Sequence, residues 1–557
     1  MIDVLRFVVN TCFMAAERVG ILLLVACLVL PRPATAAERR APSVVPKPVR
    51  IERGEGAFRL KPTTRLLAAG QAHNVAAYLQ KLLRPATGYS FPIASRAEGG
   101  TPSDTILLTT SGADQALGDE GYELRVTPDG IVIRAPRPAG LFYGVQTLRQ
   151  LLPPDVEISS KVASVEWVVP AVTISDRPRF RWRGMHLDVA RQMFPVRFIK
   201  RTIDLMALHK MNTFHWHLTD DEGWRIEIRK HPALTEAGGF YTQDEIREIV
   251  SYAQSRFVTI VPEIEMPAHS RAALVAYPEL RCETSLPGGE NVYCAGSEDT
   301  YAFLEDVLAE VVELFPGEFI HLGGDERPSD AWLTCPKCRA MIDKHDLADE
   351  DALQGYLIGR MTTFLEARGR RAIGWDEILT GPPPASVAVM GWRGMKYGIA
   401  AAKRGHDVVL CPTAYCYLNI SQEPYQVTLE RVYSFDPVPA ELSAEEAAHI
   451  LGIQACLWTE TIATPRRAEY MAFPRASALA EVAWSPDDSR DLQDFKRRLK
   501  PLLARLRAMD VNFYQPTLTT HLRGMTRPEK ILLLLLTTTV FAALVLFYAG
   551  RRRGRAV

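Results

Sequence analysis

Phe319-Ile320-His321-Leu322-Gly323-Gly324-Asp325-Glu326 decides how the rest of the chain is read. Its apolar start predicts a buried strand, and two glycines end that strand. Two acids then stand side by side where the strand opens into a loop. Glycine lets the backbone turn sharply and lets a ligand come close. Adjacent carboxylates repel, so one tends to keep its proton near neutral pH. Two acids with separated proton affinities can divide acid and base work between them. Taken alone, an Asp-Glu pair in a loop is ordinarily just solvated, so its surroundings must supply the meaning.

Outward from this octapeptide, short apolar strands recur with helical stretches between them. Eight are expected: 183–188, 213–218, 259–264, 319–322, 371–374, 387–390, 408–411 and 450–455. Strands alternating with helices predict a parallel sheet, and eight such units over residues 177–507 predict a (β/α)8 TIM barrel. The strand ends carry the chemistry. His217 precedes Thr219-Asp220-Asp221, and Glu263 and Glu265 precede His269. Next come Asp325-Glu326, Trp375-Asp376-Glu377, Trp392-Arg393, Tyr415 to Tyr417, and Trp458-Thr459-Glu460. A barrel brings these ends to one face, where active sites lie.

The flanks add a frame. Residues 42–173 mix strands at 105–110, 121–126 and 131–134 with amphipathic helices at 74–84 and 139–152, predicting a small α+β domain. Residues 1–36 read as a signal peptide: an apolar run, 20–30, precedes the small-x-small pattern Ala34-Thr35-Ala36. After a linker at 508–530, residues 531–549 are 19 uncharged positions, the length of a transmembrane helix. The basic tail 550–557 prefers the cytoplasmic side, so the globular part is expected to be exported, periplasmic or extracellular, and tethered as a single-pass membrane protein. Sixty-five basic residues balance 65 acidic ones, which gives no basic footprint for nucleic acid. Cys282 and Cys294 are close enough in sequence to bridge a loop. Cys335-x-x-Cys338 reads as a short loop disulfide or free thiols, since one such pair supports zinc weakly. Cys411, Cys416 and Cys456 read as buried and inert. No metal or cofactor is implied.

With these motifs in order, the chain resembles the β-N-acetylhexosaminidases of glycoside hydrolase family 20. His-Leu-Gly-Gly-Asp-Glu at 321–326 is similar to the family's catalytic signature. Segments 211–221, 261–269, 373–377 and 457–460 are similar to further family motifs, 176–190 to its first barrel strand, and 42–173 to its N-terminal domain. The resemblance implies substrate-assisted, retaining, exo-acting removal of terminal GlcNAc or GalNAc, in which the sugar's own 2-acetamido oxygen attacks through an oxazolinium ion. It implies that Glu326 protonates the leaving oxygen and that Asp325 orients the acetamide. It implies that Arg183 and Glu460 hold sugar hydroxyls, that Trp375, Trp392 and Trp458 wall the pocket, and that Tyr417 donates to the acetamide carbonyl. His269, with Glu265, His321 and Asp220 or Asp221, would support the acid from behind. Asp376-Glu377 reads as a charge pair at a helix start.

Two positions depart from the family pattern. Asn419 stands where Asp is usual, which predicts altered GlcNAc against GalNAc selectivity, and Ala268 replaces a usual Gly. Asn419 also supports an alternative, a catalytically weak membrane-anchored carbohydrate-binding protein. An endo-acting chitinase-like barrel is a third reading, distinguished by action on long polymers.

Overall fold

Eight strands buried along nearly their whole length, some apolar on both faces and others carrying His or acidic residues on one, need a sheet covered on both sides. In the computed structural model, which describes residues 42–95, 103–283, 289–328, 330, 332–424 and 426–516, they close into a barrel. Its strands are β1 (Trp182–Asp188), β2 (Thr213–His217), β3 (Thr259–Met266), β4 (Phe319–Gly323), β5 (Arg371–Trp375), β6 (Ala388–Gly391), β7 (Val408–Leu410) and β8 (Ile450–Ala455). Every neighbour is parallel, and β8 pairs with β1 through Ala455 and Met185 to close the ring. Helices follow most strands, among them Val196–Leu208, Gln243–Gln254, Glu298–Leu314 and Glu350–Glu366. β5 is followed instead by a 3-10 turn, Asp376–Thr380.

Ahead of the barrel lies a seven-stranded mixed sheet, in spatial order 50–59, 168–176, 122–126, 130–134, 105–109, 65–67 and 93–94. Helix Pro138–Leu151 is buried from Gly140 to its end. A helix buried all round has a packing partner on each side. Here one side meets the sheet and the other meets the barrel. A Cβ on Gly140 would lie 2.1 Å from the carbonyl oxygen of Gly121, so only glycine lets this helix sit so low.

Buried charges stitch the barrel's lower end, at the strands' N-termini, to this sheet. The Arg183 guanidinium donates to both Glu120 oxygens at 2.8 Å. Lys210 Nζ and Trp484 Nε1 donate to the Asp176 carboxylate at 2.8 and 2.9 Å.

Helix Leu492–Ala508 follows the last barrel helix, and residues just beyond it pack on the barrel, where Asn512 N donates to Glu469 at 2.8 Å. The start of the expected linker is therefore part of the fold. Residues 1–36, 517–530, 531–549 and 550–557 lie outside the described residues, and with them the expected leader and membrane span. No helix among the described residues is long and apolar enough to cross a membrane.

Candidate active site

The site is built where β3 and β4 run out side by side, with Glu263 opposite His321 and Met266 opposite Gly323. A Cβ on Gly323 would lie 1.8 Å from Glu265 Oε2, so a side chain there would collide with the buried acid. Gly323 and Gly324 hold φ of 65° and 95° and turn the chain toward the barrel mouth. Glu326 and His269 are themselves left-handed, at 49° and 52°. Such backbone costs about 1–3 kcal/mol per residue and persists only where the surroundings over-determine it. The strain falls on two residues that face each other: His269 Nε2 stands 3.5 Å from Glu326 and 3.7 Å from Asp325. Ala268 is not left-handed, so its methyl group meets no backbone penalty.

Behind His269 runs an alternating chain of imidazoles and carboxylates. His269 Nδ1 pairs with Asp220 at 3.1 Å, and Asp220 pairs with His217 Nε2 at 2.8 Å. His217 Nδ1 bonds to Glu263, which also accepts from Trp375 Nε1 at 2.7 Å and lies 2.8 Å from His321 Nδ1. Arg191 closes over this chain, with Nη2 2.8 Å from Asp220.

This arrangement sorts the protons. Burial opposes charge on His269, but its hydrogen bond to Asp220 and the nearby carboxylates of Glu326 and Asp325 push it up to about 11. It is an imidazolium at neutral pH. The His269 imidazolium in turn holds Glu326 below the usual carboxylate range. Burial, helped by Glu263 and Asp220, pushes Asp325 up to about 6 against the pull of His269. Glu265 is pushed well up, first by burial and then by Asp325 and Glu263. One acid of the pair thus does hold its proton more tightly, but it is Asp325 and not the expected donor Glu326. The cause is depth: the Asp325 side chain is 12% exposed and that of Glu326 59%.

Above the acids is a cavity of about 150 Å³ lined by Arg191, Asp220, His269, Asp325, Glu326, Trp392, Tyr417, Asn419, Trp458 and Glu460. Trp392 stacks on Tyr417 at 20° with ring centres 6.0 Å apart. The Arg191 guanidinium lies 5.2 Å over the Trp458 ring. Five buried polar atoms of these lining residues have no hydrogen-bond partner in the protein: Arg191 Nη1, His269 Nε2, Asp325 Oδ1, Asn419 Oδ1 and Trp458 Nε1. Arg191 Nη1 and His269 Nε2 still lie within ion-pair distance of Asp188 and Glu326, so Asp325 Oδ1, Asn419 Oδ1 and Trp458 Nε1 are the atoms most open to a ligand. A larger cavity of about 570 Å³ opens at the opposite end of the barrel, beside Glu120, Trp182 and Phe319. Its two acids are already paired with Arg183 and Arg371, which makes it a poor seat for chemistry.

The sequence matches the family model for glycosyl hydrolase family 20, catalytic domain, over residues 180–487, and the model for domain 2 of that family over residues 41–177. The chain belongs to glycosyl hydrolase family 20. A beta-hexosaminidase of Porphyromonas gingivalis is 41% identical over 504 residues, which is 85% of this chain and 64% of that relative's length. The family 20 beta-N-acetylhexosaminidase of Streptomyces coelicolor superposes with a TM-score of 0.75 at 35% identity, over 85% of this chain and 97% of that one. A mutant Streptomyces plicatus beta-hexosaminidase, solved with its product GlcNAc, superposes with a TM-score of 0.75 at 34% identity, over 87% and 98%.

As a family 20 glycoside hydrolase, the chain departs from its sequence reading at several positions. Arg183, expected at the sugar, lies at the far end of β1, buried against Glu120 and Tyr143. The pocket's arginine is Arg191, three residues past the end of β1. Asp188 and Arg191, at and just past the end of β1, carry the same signal of polar residues at a strand end. Asp188 accepts from Thr459 N at 3.0 Å and so ties the Trp458 loop to β1. Trp375 is 1% exposed and lies beneath the pocket lining, against His321 and Trp458. Asp221 is outside the cavity lining but beside His269, 3.9 Å from its Nδ1, and accepts from Arg271 N at 3.0 Å and Asn291 Nδ2 at 3.1 Å. Asp376 and Glu377 are more than a charge pair at a helix start. Asp376 accepts from Trp392 N at 2.9 Å and Glu377 from Trp392 Nε1 at 2.8 Å, so together they set the Trp392 ring. Burial and Asp376 push Glu377 up to about 8. His215, Glu263 and His321, and also His186, His217 and Glu263, lie close enough to share an ion, but Glu263 is already filled by imidazole and indole donors.

Proposed function

We propose that this protein is an exo-acting, retaining β-N-acetylhexosaminidase that removes terminal GlcNAc or GalNAc by substrate-assisted catalysis. The observation that carries this reading is the consecutive pair Asp325-Glu326, one buried and one solvent-facing, meeting at His269 under a cavity of about 150 Å³. A cavity this small, floored by the two acids, suits a single sugar unit. An exo mode fits that space.

In the open site Glu326 is held ionised by His269 and water. A sugar ring against Trp458 and Trp392 would displace that water. Desolvation raises a carboxylate's affinity for a proton, so binding itself arms Glu326 as general acid. Asp325 Oδ1, buried and unpartnered, is the acceptor for the acetamide N–H. The cation that forms when the acetamide oxygen attacks the anomeric carbon favours the ionised form of Asp325 and is stabilised by it. Glu326, having given up its proton, then takes one from the water that opens the intermediate. Intramolecular attack removes the entropic cost of bringing a separate nucleophile into place. Arg191 and Glu460 stand at the pocket wall for the sugar hydroxyls, and Tyr417 for the acetamide carbonyl.

The test uses aryl β-N-acetylglucosaminides whose acetamide carries zero to three fluorines. Rates that fall steadily with fluorination, with the β-anomer as first product by NMR, are expected. A rate indifferent to fluorination, or an α-anomer first, would overturn the mechanism, and binding without turnover would favour a carbohydrate-binding role. We further propose that the catalytic part is exported and held by residues 531–549. This rests on the apolar run and the arginines behind it, and predicts activity in the membrane fraction that protease releases from outside.

A further inference from the structure

Cys282, Cys294, Cys335 and Cys338 meet in one buried knot, all four 7% exposed or less. Sequence alone offered one loop pair and one Cys-x-x-Cys; the fold brings the two together. Cys282 and Cys294 lie in the loop that follows β3, and Cys335 and Cys338 lie beyond β4 at the start of helix Pro336–Lys344. The sulfurs of Cys282 and Cys338 are 3.6 Å apart, those of Cys294 and Cys335 3.7 Å, and those of Cys294 and Cys338 3.8 Å. All four lie within 4.8 Å of one another.

These separations discriminate between chemistries. A disulfide needs sulfurs roughly 2.05 Å apart. Four thiolates placed tetrahedrally at about 2.3 Å from a zinc ion are about 3.8 Å from each other. Three observed separations fall at that edge length, and they share sulfurs: Cys338 approaches both Cys282 and Cys294, and Cys294 both Cys335 and Cys338. The third separation links what would otherwise be two pairs, so the four sulfurs form one cluster. The surroundings are built for this knot. A Cβ on Gly296 would lie 2.1 Å from the carbonyl carbon of Lys337, so the first loop lies directly on the Cys-x-x-Cys turn. Arg281 and Tyr293 pair across the base of the first loop and present Cys282 and Cys294 from its two sides. Cys335 occupies the position immediately before helix Pro336–Lys344, and Cys338 lies in its first turn.

The geometry points to a structural tetrathiolate zinc site formed by Cys282, Cys294, Cys335 and Cys338. The ion locks the loop after β3 to the segment after β4, the two that carry His269 and Asp325-Glu326. The lock reaches the catalytic groups by short steps. Tyr293 N donates to Pro267 O at 2.9 Å, and Ser270 Oγ to Asn291 O at 2.8 Å, so the zinc loop holds both sides of His269. Trp332 Nε1 donates to Tyr293 O at 3.0 Å, and the Arg327 guanidinium lies 4.9 Å over the Trp332 ring, next in sequence to Glu326. Closed sulfur shells of this kind hold structural zinc, with no open position for substrate.

The test is metal analysis of the full-length chain, purified without chelator, together with X-ray absorption at the zinc edge. About one zinc per chain with a sulfur-only shell at about 2.3 Å is expected. A mercurial thiol reagent should release that zinc stoichiometrically. Cys338→Ser should lose it, while Cys411→Ser, whose thiol is buried elsewhere, should keep it. Two disulfides by mass, four titratable thiols without metal, iron in place of zinc, or nitrogen and oxygen ligands would each overturn the assignment. Because a serine variant could fail to fold, the metal content and ligand shell of the unaltered protein are the deciding measurements. They need no substrate, so they stand apart from the catalytic reading.

Discussion

Arg183 and Arg191 belong to the same β1 segment, eight positions apart, and do opposite work. At the lower end of the barrel Arg183 is buried and fully engaged by Glu120, Lys210 O, Phe180 O and Tyr143. At the upper end Arg191 lines a cavity among acids, and one of its nitrogens is left without a hydrogen-bond partner. The difference extends to the two ends as wholes. Below, Asp176 takes bonds from Tyr122, Lys210 and Trp484. Above, Asp325, His269, Trp458 and Asn419 each keep a buried polar atom unsatisfied. Fully satisfied charge holds domains together, while polar atoms left unsatisfied beside the cavity are kept for a ligand at the expense of stability.

The sharpest test removes the solvent-facing acid. Glu326→Gln should lower kcat/KM roughly 10²–10⁴-fold through loss of proton transfer, with only a small fall in thermal midpoint from the lost, largely exposed pairing with His269. An activity loss under tenfold would break the contrast. Asp325→Asn should lower kcat by roughly 10²–10³-fold and yet stabilise the fold at neutral pH. The sign follows from Asp325 binding its proton more tightly when folded, up to about 6, than its ordinary value of 3.8. Stability therefore falls as pH rises between those values and stays reduced above about 6. Denaturant titrations should show Asp325→Asn more stable by roughly 1–3 kcal/mol at pH 7.5 and little changed near pH 4. Equal stability of the two proteins at pH 7.5 would mean that the buried acid carries no strain.

At the other end, Arg183→Met should cost roughly 3 kcal/mol, since it strands Glu120, while kcat/KM of the folded protein stays within about twofold. A specific rise in KM would return Arg183 to the sugar site. The smallest effect is expected at the pocket edge. Asn419→Asp should shift the GlcNAc-to-GalNAc rate ratio by no more than about tenfold, because it adds charge to an existing acceptor. Side-by-side rates on the two glycosides measure it.

Much of this was legible in the linear chain. Runs such as Ala388–Gly391 are apolar on both faces, and eight strands alternating with helices call for a covered parallel sheet, so the barrel was legible from local pattern. Gly323-Gly324-Asp325-Glu326 also announced its turn and its acids locally. What the sequence could not convey was which end of a strand a residue occupies relative to distant partners. Arg183 looked like a ligand residue because Glu120, 63 positions away, was invisible as its partner. Glu377 looked like a helix-start charge because its bond to the Trp392 indole exists only once β5 and β6 lie side by side.

The sequence by itself determined the strands, the glycine turn and the acids of the catalytic pair, because each rests on the chemistry of a few neighbouring residues. Only the tertiary structure decided which acid keeps its proton, which arginine lines the pocket, and that four scattered cysteines share one point. Burial, charge and sulfur geometry are properties of groups that the chain brings together from tens of residues apart.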